Sequence, residues 1–406
     1  MKLINSPLNL NRVVIAIFLI CNIGFYFAQY SLIINIGYYV LFSYFAYRFF
    51  IKSLHFNRFI FWIIIYSLYT FISITWSFNV ESSLDAFIQM LKVIVPAMIL
   101  SVLVNNEHDF RWAVFSLSIA ALLFAILYMQ NVDVSKLAYN RITMATEDVE
   151  SAPNVNIVAL YLSTSFTFFI FYFFKNRNYL FLVLAIISIV IIVTLGSRKS
   201  ILAIGLCLVL VIYKLNSGSR GSLLSIIIIG ATAVIMYLPE DYLLYIGDRF
   251  SELNDVANGK GGADDSRVKM LQRGVEYFLS SPILGHGYYT YRDLFKMTDG
   301  LYLYSHNNFV DVAVGGGIVG FVIYYYIYIQ IFKNIKKVKR PFKIDDRYMS
   351  LVMLIQLLFN GLFIVYLNDR FVWILLALLY SYNGFNTNIN STSQQSILER
   401  TAKYKA

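Results

Sequence analysis

Charge is what this sequence has least of: only 14% of its 406 residues are Asp, Glu, Lys or Arg, whereas 59% are hydrophobic and 17% aromatic. Soluble domains carry about 25% charged residues, so a chain of this length could not clothe its surface in polar groups, and a soluble fold is excluded. Cysteine is nearly missing as well. The two present, Cys21 and Cys207, lie in separate apolar runs, which argues against a disulfide-stapled extracellular module and leaves the redox compartment unread. The apolar runs lack period-two alternation and are about twice as long as a barrel strand, so a β-barrel reading fails. No short apolar stretch at the N-terminus leads to a small-residue cleavage site, and the first hydrophobic segment is expected to be retained. No internal repeat of the kind that builds a transporter's inverted halves is visible.

What the sequence has in abundance is long apolar runs. At about 20 residues per membrane crossing, the candidate spans are 12–29, 31–51, 59–77, 84–104, 110–129, 153–174, 179–196, 199–214, 222–238, 307–332, 349–367 and 370–385. The expected fold is all-α and polytopic, with about 12 transmembrane helices in a single domain over 1–385. A net charge of +10 has the look of a nucleic-acid binder, but in a membrane protein placement outweighs the sum. With both termini cytoplasmic, Arg12, Arg48, Lys52, Arg58, Arg111, Lys175, Arg177, Lys214, Arg220 and the run Lys333 to Arg347 all fall inside, as do Arg400, Lys403 and Lys405. The outer segments are then net acidic. This is the positive-inside pattern, so the cationic excess reads as topology and no nucleic-acid partner is expected.

Two outer segments are long, 130–152 and 239–306. In the second, Asp264–Asp265–Ser266 precedes Val268, Leu271, Val275, Phe278 and Leu279, an apolar stripe at helical spacing closed by Pro282 and Gly285. The spacing predicts an amphipathic helix over 266–280 at the outer interface. Residues 386–406, rich in Asn, Ser, Thr and Gln, read as a loosely ordered cytoplasmic tail.

A few ionisable residues defy the pattern. Arg198 and Lys199 sit in the tight outer turn Gly196–Ser197–Arg198–Lys199–Ser200. They are either an interfacial pair snorkelling to headgroups or an anion site, in which an arginine fork and a helix N-terminus face phosphate oxygens. Arg267 stands in the first turn of the loop helix, where the dipole disfavours a cation. It either pairs with Asp264 or Asp265, or faces inward as a second phosphate ligand; Arg273 is a weaker candidate of the same kind. His306, with Ser305 as a plausible N-cap, is placed in the first turn of the helix that follows, where a neutral ring able to take a proton is expected. The alternative is an interfacial histidine bonded to loop backbone. His286, in Gly285–His286–Gly287, could serve a turn. Lys92, within a span and four residues before Pro96, is a functional candidate unless it snorkels upward. Gly315–Gly316–Gly317 and Gly320 read as close helix packing.

The Gly-Ser-Arg-Lys-Ser turn, the run from Asp265–Ser266–Arg267 through Ser281–Pro282–Ile283–Leu284–Gly285–His286–Gly287, and His306–Asn307–Asn308 followed by Gly316 to Gly320 together resemble the O-antigen polymerase and O-antigen ligase superfamily. Pro153–Asn154–Val155–Asn156 is similar to a further segment common there, and the pieces run in order over about 150–330. The resemblance implies a metal-independent, cofactor-free glycosyltransferase in the bacterial cytoplasmic membrane. Its site faces the periplasm or exterior and takes a glycan linked to undecaprenol through pyrophosphate. Arg198 and Arg267 match the residues expected to bind pyrophosphate, with Lys199, Arg273, Lys92 and His286 as further candidates for phosphate or glycan; His306 matches the histidine tied to acceptor activation. At His286 the family more often has a small or aliphatic residue. A chain-length regulator and a flippase of the same pathway are implied partners. A repeat-unit polymerase is favoured over a ligase, because the loop is moderate in size, the 32 Tyr and 34 Phe suit such polymerases, and polymerases are the more diverse in sequence. A rival of another class is a flippase or secondary transporter for anionic glycolipids, which would place its charges nearer the midplane.

Overall fold

A computed structural model of the protein describes residues 9–52, 54, 57–131, 154–215, 221, 263–336 and 345–382, and every regular element among them is a helix. The expected span 222–238, most of the outer segments 130–152 and 239–262, part of the basic run before Arg347 and the tail 386–406 lie outside the described residues. The elements are α1 (Leu10–Leu19), α2 (Ser31–Phe50), α3 (Arg58–Ser73), α4 (Val80–Leu103) and α5 (Glu107–Asn131). They continue with α6 (Val155–Asn176), α7 (Tyr179–Thr194), α8 (Arg198–Lys214), α9 (Ala263–Ser280) and α10 (Tyr291–Asp299). The last three are α11 (Asn308–Lys336), α12 (Asp346–Gly361) and α13 (Arg370–Tyr382).

Five of these helices are long and apolar enough to cross a membrane: α3 with its 3₁₀ continuation to Trp76, α4, α5, α6 and α11. Leu10–Gly24, α7 and α13 are apolar but shorter. The run expected over 12–29 is α1 plus one π-helical turn, Ile20–Gly24, and the run expected over 349–367 is helical only to Gly361.

Asparagine begins helix after helix. Asn9, Asn57, Asn79, Asn154 and Asn178 each accept a hydrogen bond from an amide of the first turn of α1, α3, α4, α6 and α7. These caps satisfy orphan N–H groups where the chain enters the apolar phase, and there an unpaired donor is costly. The axis of the packing is α6, whose apolar window is 94% buried. A helix apolar all round belongs inside its bundle, and α6 touches α5, α7, α8 and α12.

The two ends of the bundle are chemically unlike. At one end, buried ion pairs tie helices together: Arg12 Nε to Asp109 Oδ1 at 2.8 Å joins α1 to α5, while Asp346 takes Arg111 Nε and Lys175 Nζ, each at 2.7 Å, joining α12, α5 and α6. This is the end that the charge pattern assigns to the cytoplasm. At the opposite end the start of α6 and the first half of α11 meet the segment 281–306, and the start of α8 lies against α6.

Candidate functional site

Helix α11 is not continuous. At Gly317 the backbone turns to φ 57° and ψ −162°, a conformation open to glycine, and the helix breaks there. The segment Pro282–Gly287 is threaded into the break and completes its hydrogen bonds. His286 N and Gly287 N donate to Val314 O (2.9 Å) and Gly315 O (3.0 Å), while Ile318 N and Val319 N donate to Pro282 O (2.8 Å) and Ile283 O (3.2 Å). Tyr69 Oη locks the junction from α3 by donating to Gly316 O at 2.5 Å. The expectation of mere helix packing at Gly315–Gly317 is therefore corrected: a Cβ at Gly317 would overlap the Ile283 carbonyl and stand 2.6 Å from Gly285 N. Gly320 fits that expectation, since a Cβ there would stand 2.7 Å from Tyr69 Cε1.

His306 lies just before α11. Asn307, not Ser305, caps this helix, accepting from Phe309 N at 2.9 Å and Val310 N at 3.2 Å. His306 is thus outside the first turn and holds the left-handed conformation, φ 56°, which is uncommon for a non-glycine residue. The turn is fastened from below by Ser305, whose Oγ contacts the Oδ2 of buried Asp311 and accepts from Asn307 N at 3.1 Å. The imidazole packs on Tyr304, with ring centroids 4.0 Å apart, and its Nδ1 is buried without a hydrogen-bond partner among the described residues. Burial first, then the charges of Lys199, Arg267 and Arg292, push its pKa down to about 4. The neutral ring expected from the sequence is found, but desolvation and three cations produce it, where a helix dipole was expected to.

The cations come from three elements. Arg198 and Lys199 open α8; the side chain of Arg198 is outside the described residues, and Lys199 Nζ donates to Phe363 O at 2.8 Å. Two contacts hold this turn beside Tyr304: Ser197 Oγ reaches Asn156 Oδ1 at 3.4 Å, and Asn154 Nδ2 donates to Tyr304 Oη at 2.9 Å. Arg267 is exposed near the start of α9, a helix that begins at Ala263, slightly before the expected 266; the side chains of Asp264 and Asp265 are outside the described residues. Arg292 belongs to α10, an element absent from the sequence reading. Its guanidinium lies over the rings of Tyr289, Tyr302 and Tyr304, at 5.2, 5.9 and 5.1 Å from their centroids.

Three residues singled out in the sequence have other partners. Arg273 bonds to Asp299 through Nε at 2.9 Å and to Glu276 at 2.7 Å, and with Lys269 (2.5 Å to Asp299) it ties α9 to α10. The Lys269 and Arg273 bonds hold Asp299 down at about 2. His286 Nε2 lies 2.8 Å from Tyr277 O and 2.9 Å from Ser280 Oγ, so its ring fastens the turn after α9. Lys92 is exposed on α4, and its carbonyl accepts from Tyr38 of α2 at 3.3 Å.

Arg292 and Asp311 are the functional candidates that the sequence reading missed. The signals were present: the aromatic run Tyr288–Tyr289–Thr290–Tyr291 before Arg292, and a lone acid inside the apolar run after His306. Beside them a cavity opens between α3, Tyr288–Tyr289 and the broken helix, with Tyr66, Ser73 and Asp311 in its wall. Among the described residues no three His, Cys, Asp or Glu side chains are grouped so as to hold a metal ion.

No curated protein matches the chain. Residues 183–325, from α7 through the helix break to α11, match the family model described as O-Antigen ligase, and with it the O-antigen polymerase and ligase superfamily.

Proposed function

We propose that this protein is a membrane glycosyltransferase that polymerises undecaprenyl-pyrophosphate-linked oligosaccharide repeat units into O-antigen or capsular polysaccharide on the outer face of the bacterial cytoplasmic membrane. The carrying observation is the neutral imidazole of His306, its Nδ1 buried and unbonded, in a field of three cations. In the reaction, an acceptor sugar hydroxyl attacks the anomeric carbon of the donor. The C–O bond to the lipid diphosphate breaks, and the diphosphate departs with the bonding electrons. Arg198, Lys199 and Arg267 stabilise the charge that grows on it, the exposed Arg267 by less than a desolvated donor would because water screens it. His306 takes the hydroxyl proton, an effect worth roughly 10²–10⁴-fold. A pKa near 4 makes the empty site a poor base. The bound diphosphate offsets the cations and lifts the imidazole by their share of the depression, the larger share from burial remaining, so that its basicity rises with the donor. Arg273, His286 and Lys92 keep supporting places at most: two hold the α9–α10 hairpin and its turn, and the third lies on α4.

Arg198→Ala or Arg267→Ala is expected to abolish chain growth without lowering membrane abundance, and normal polysaccharide ladders from either variant refute the assignment. His306→Ala should retain donor binding and lose transfer. The printed description of the matched family makes ligation the second reading. A deletion strain separates the two, because loss of a polymerase leaves single repeats on the acceptor, whereas loss of a ligase leaves polymer on the lipid carrier. Purified protein that joins lipid-linked oligosaccharides in detergent excludes a purely transporting role.

A further inference from the structure

The outer end of the bundle holds more positive charge at the site than a diphosphate calls for, and the surplus has a distinct setting. Helix α10 carries two acids and two bases. Its acids face elsewhere: Asp293 Oδ1 accepts from Asn79 Nδ2 at 2.9 Å at the start of α4 while its Oδ2 is buried, and Asp299 is bound by Lys269 and Arg273. Among the described residues no carboxylate lies within ion-pair distance of Arg292 or of Lys296, whose Nζ stands 6.0 Å from the Tyr302 centroid. Asp311, on whose carboxylate the Arg292 charge acts, is buried and directed to Ser305.

Arg292 is half-buried, with Tyr289, Tyr302 and Tyr304 around it. Rings over a guanidinium face leave the in-plane N–H edges as the directions in which a ligand can be met, and a planar carboxylate matches that edge with two parallel bonds. Tyrosine faces beside it offer the flat, amphipathic surface on which a pyranose ring stacks. Tyr304 also contacts His306, so a sugar on these rings is next to the reacting hydroxyl or the transferred residue.

We propose that Arg292, with Tyr289, Tyr302 and Tyr304, forms a subsite for a carboxylated sugar of the repeat unit and so sets which glycan the enzyme accepts. The proposal rests on the glycosyl-transfer reading. It assigns Arg292 to the glycan, while the diphosphate stays with the α8 turn and Arg267.

The test uses the lipid-linked single repeat accumulated by a strain deleted for this protein. Mass spectrometry should find a sugar acid in it, and a wholly neutral repeat overturns the proposal. The isolated material is then offered to the purified full-length protein before and after carbodiimide–borohydride reduction of its carboxylates. Reduction should lower kcat/KM by about 10- to 100-fold, the worth of a charge-assisted bidentate contact. In Arg292→Gln, the native substrate should fall by a similar factor and reduction should have no further effect. Equal losses on native and reduced substrates in Arg292→Gln would assign Arg292 to the diphosphate or to the fold, and overturn the proposal. Failure of the wild-type protein to transfer either substrate would instead refute the transferase reading beneath it.

Discussion

Replacing Gly317 with alanine tests whether the loop and the broken helix are one device. The Cβ would overlap the Ile283 carbonyl and lie 2.6 Å from Gly285 N, both of them backbone, so no side-chain rotation relieves the clash. Either the loop Pro282–Gly287 withdraws or α11 straightens. Both outcomes sever the four backbone bonds across the junction, at about 1 kcal/mol each, and a φ of 57° costs an L-residue about 1–2 kcal/mol more. The expected loss is about 4–6 kcal/mol. It should be read as a fall of several degrees in the temperature at which full-length protein in detergent loses monodispersity, together with loss of transfer, since His306 rides on the N-terminus of the displaced half-helix. Two other glycines are internal controls. Gly205, in mid-α8 with open space where a Cβ would go, should tolerate alanine or gain up to about 1 kcal/mol. Gly300, with equal space but φ 76°, should lose about 1 kcal/mol from backbone strain alone. If Gly317→Ala behaves like Gly205→Ala, the threaded-loop account is wrong.

The remaining predictions concern protons and buried charge. His306 has its pKa lowered to about 4, so the acid limb of kcat/KM, which reports the free enzyme, should lie near pH 4, while that of kcat, measured with the diphosphate bound, should lie higher; coincident limbs would refute the electrostatic coupling. The same depression has a sign for stability. Between pH 6.5 and 4 the unfolded chain binds the extra proton, so stability should fall as the pH drops through that window, and His306→Gln should flatten the slope. At the other end of the bundle, Asp109→Ala removes the carboxylate facing Arg12, itself 8% exposed, and should cost about 3–5 kcal/mol, seen as reduced membrane abundance. Asp109→Asn, which keeps a hydrogen-bond acceptor, should cost less.

Hydropathy made the helical class legible, and the apolar stripe from Val268 to Leu279 placed α9 to within three residues of its start. Backbone irregularity was hidden. A helix break needs glycine, but so does close packing, and nothing in Gly315–Gly316–Gly317 separates the two until Pro282–Gly287 is seen to fill the gap. Helix α10 escaped because its apolar stripe is only Tyr291, Leu294 and Phe295, too short to register as a period, while its polar positions resemble a loop. Arg292 was invisible with it. The cap at Asn307 was misassigned to Ser305 because either residue type serves; tertiary contact with Asp311 decides, by drawing the serine hydroxyl away. Arg273 was ranked below Arg267 from sequence, but its actual partner was hidden, since only the folded α10 presents Asp299 to it.

The threaded break also bears on how the chain enters its membrane. Val314 O, Gly315 O, Ile318 N and Val319 N find their partners in Pro282–Gly287 rather than within α11, and hydrocarbon offers no water to replace them. A translocation machine therefore meets a helix that is incomplete as a membrane element until Pro282–Gly287 is in place beside it. That segment precedes α11 in the chain, so it is made before the helix it finishes. The order of synthesis and the order of hydrogen bonding agree, and α11 is complete only once the loop before it is in place.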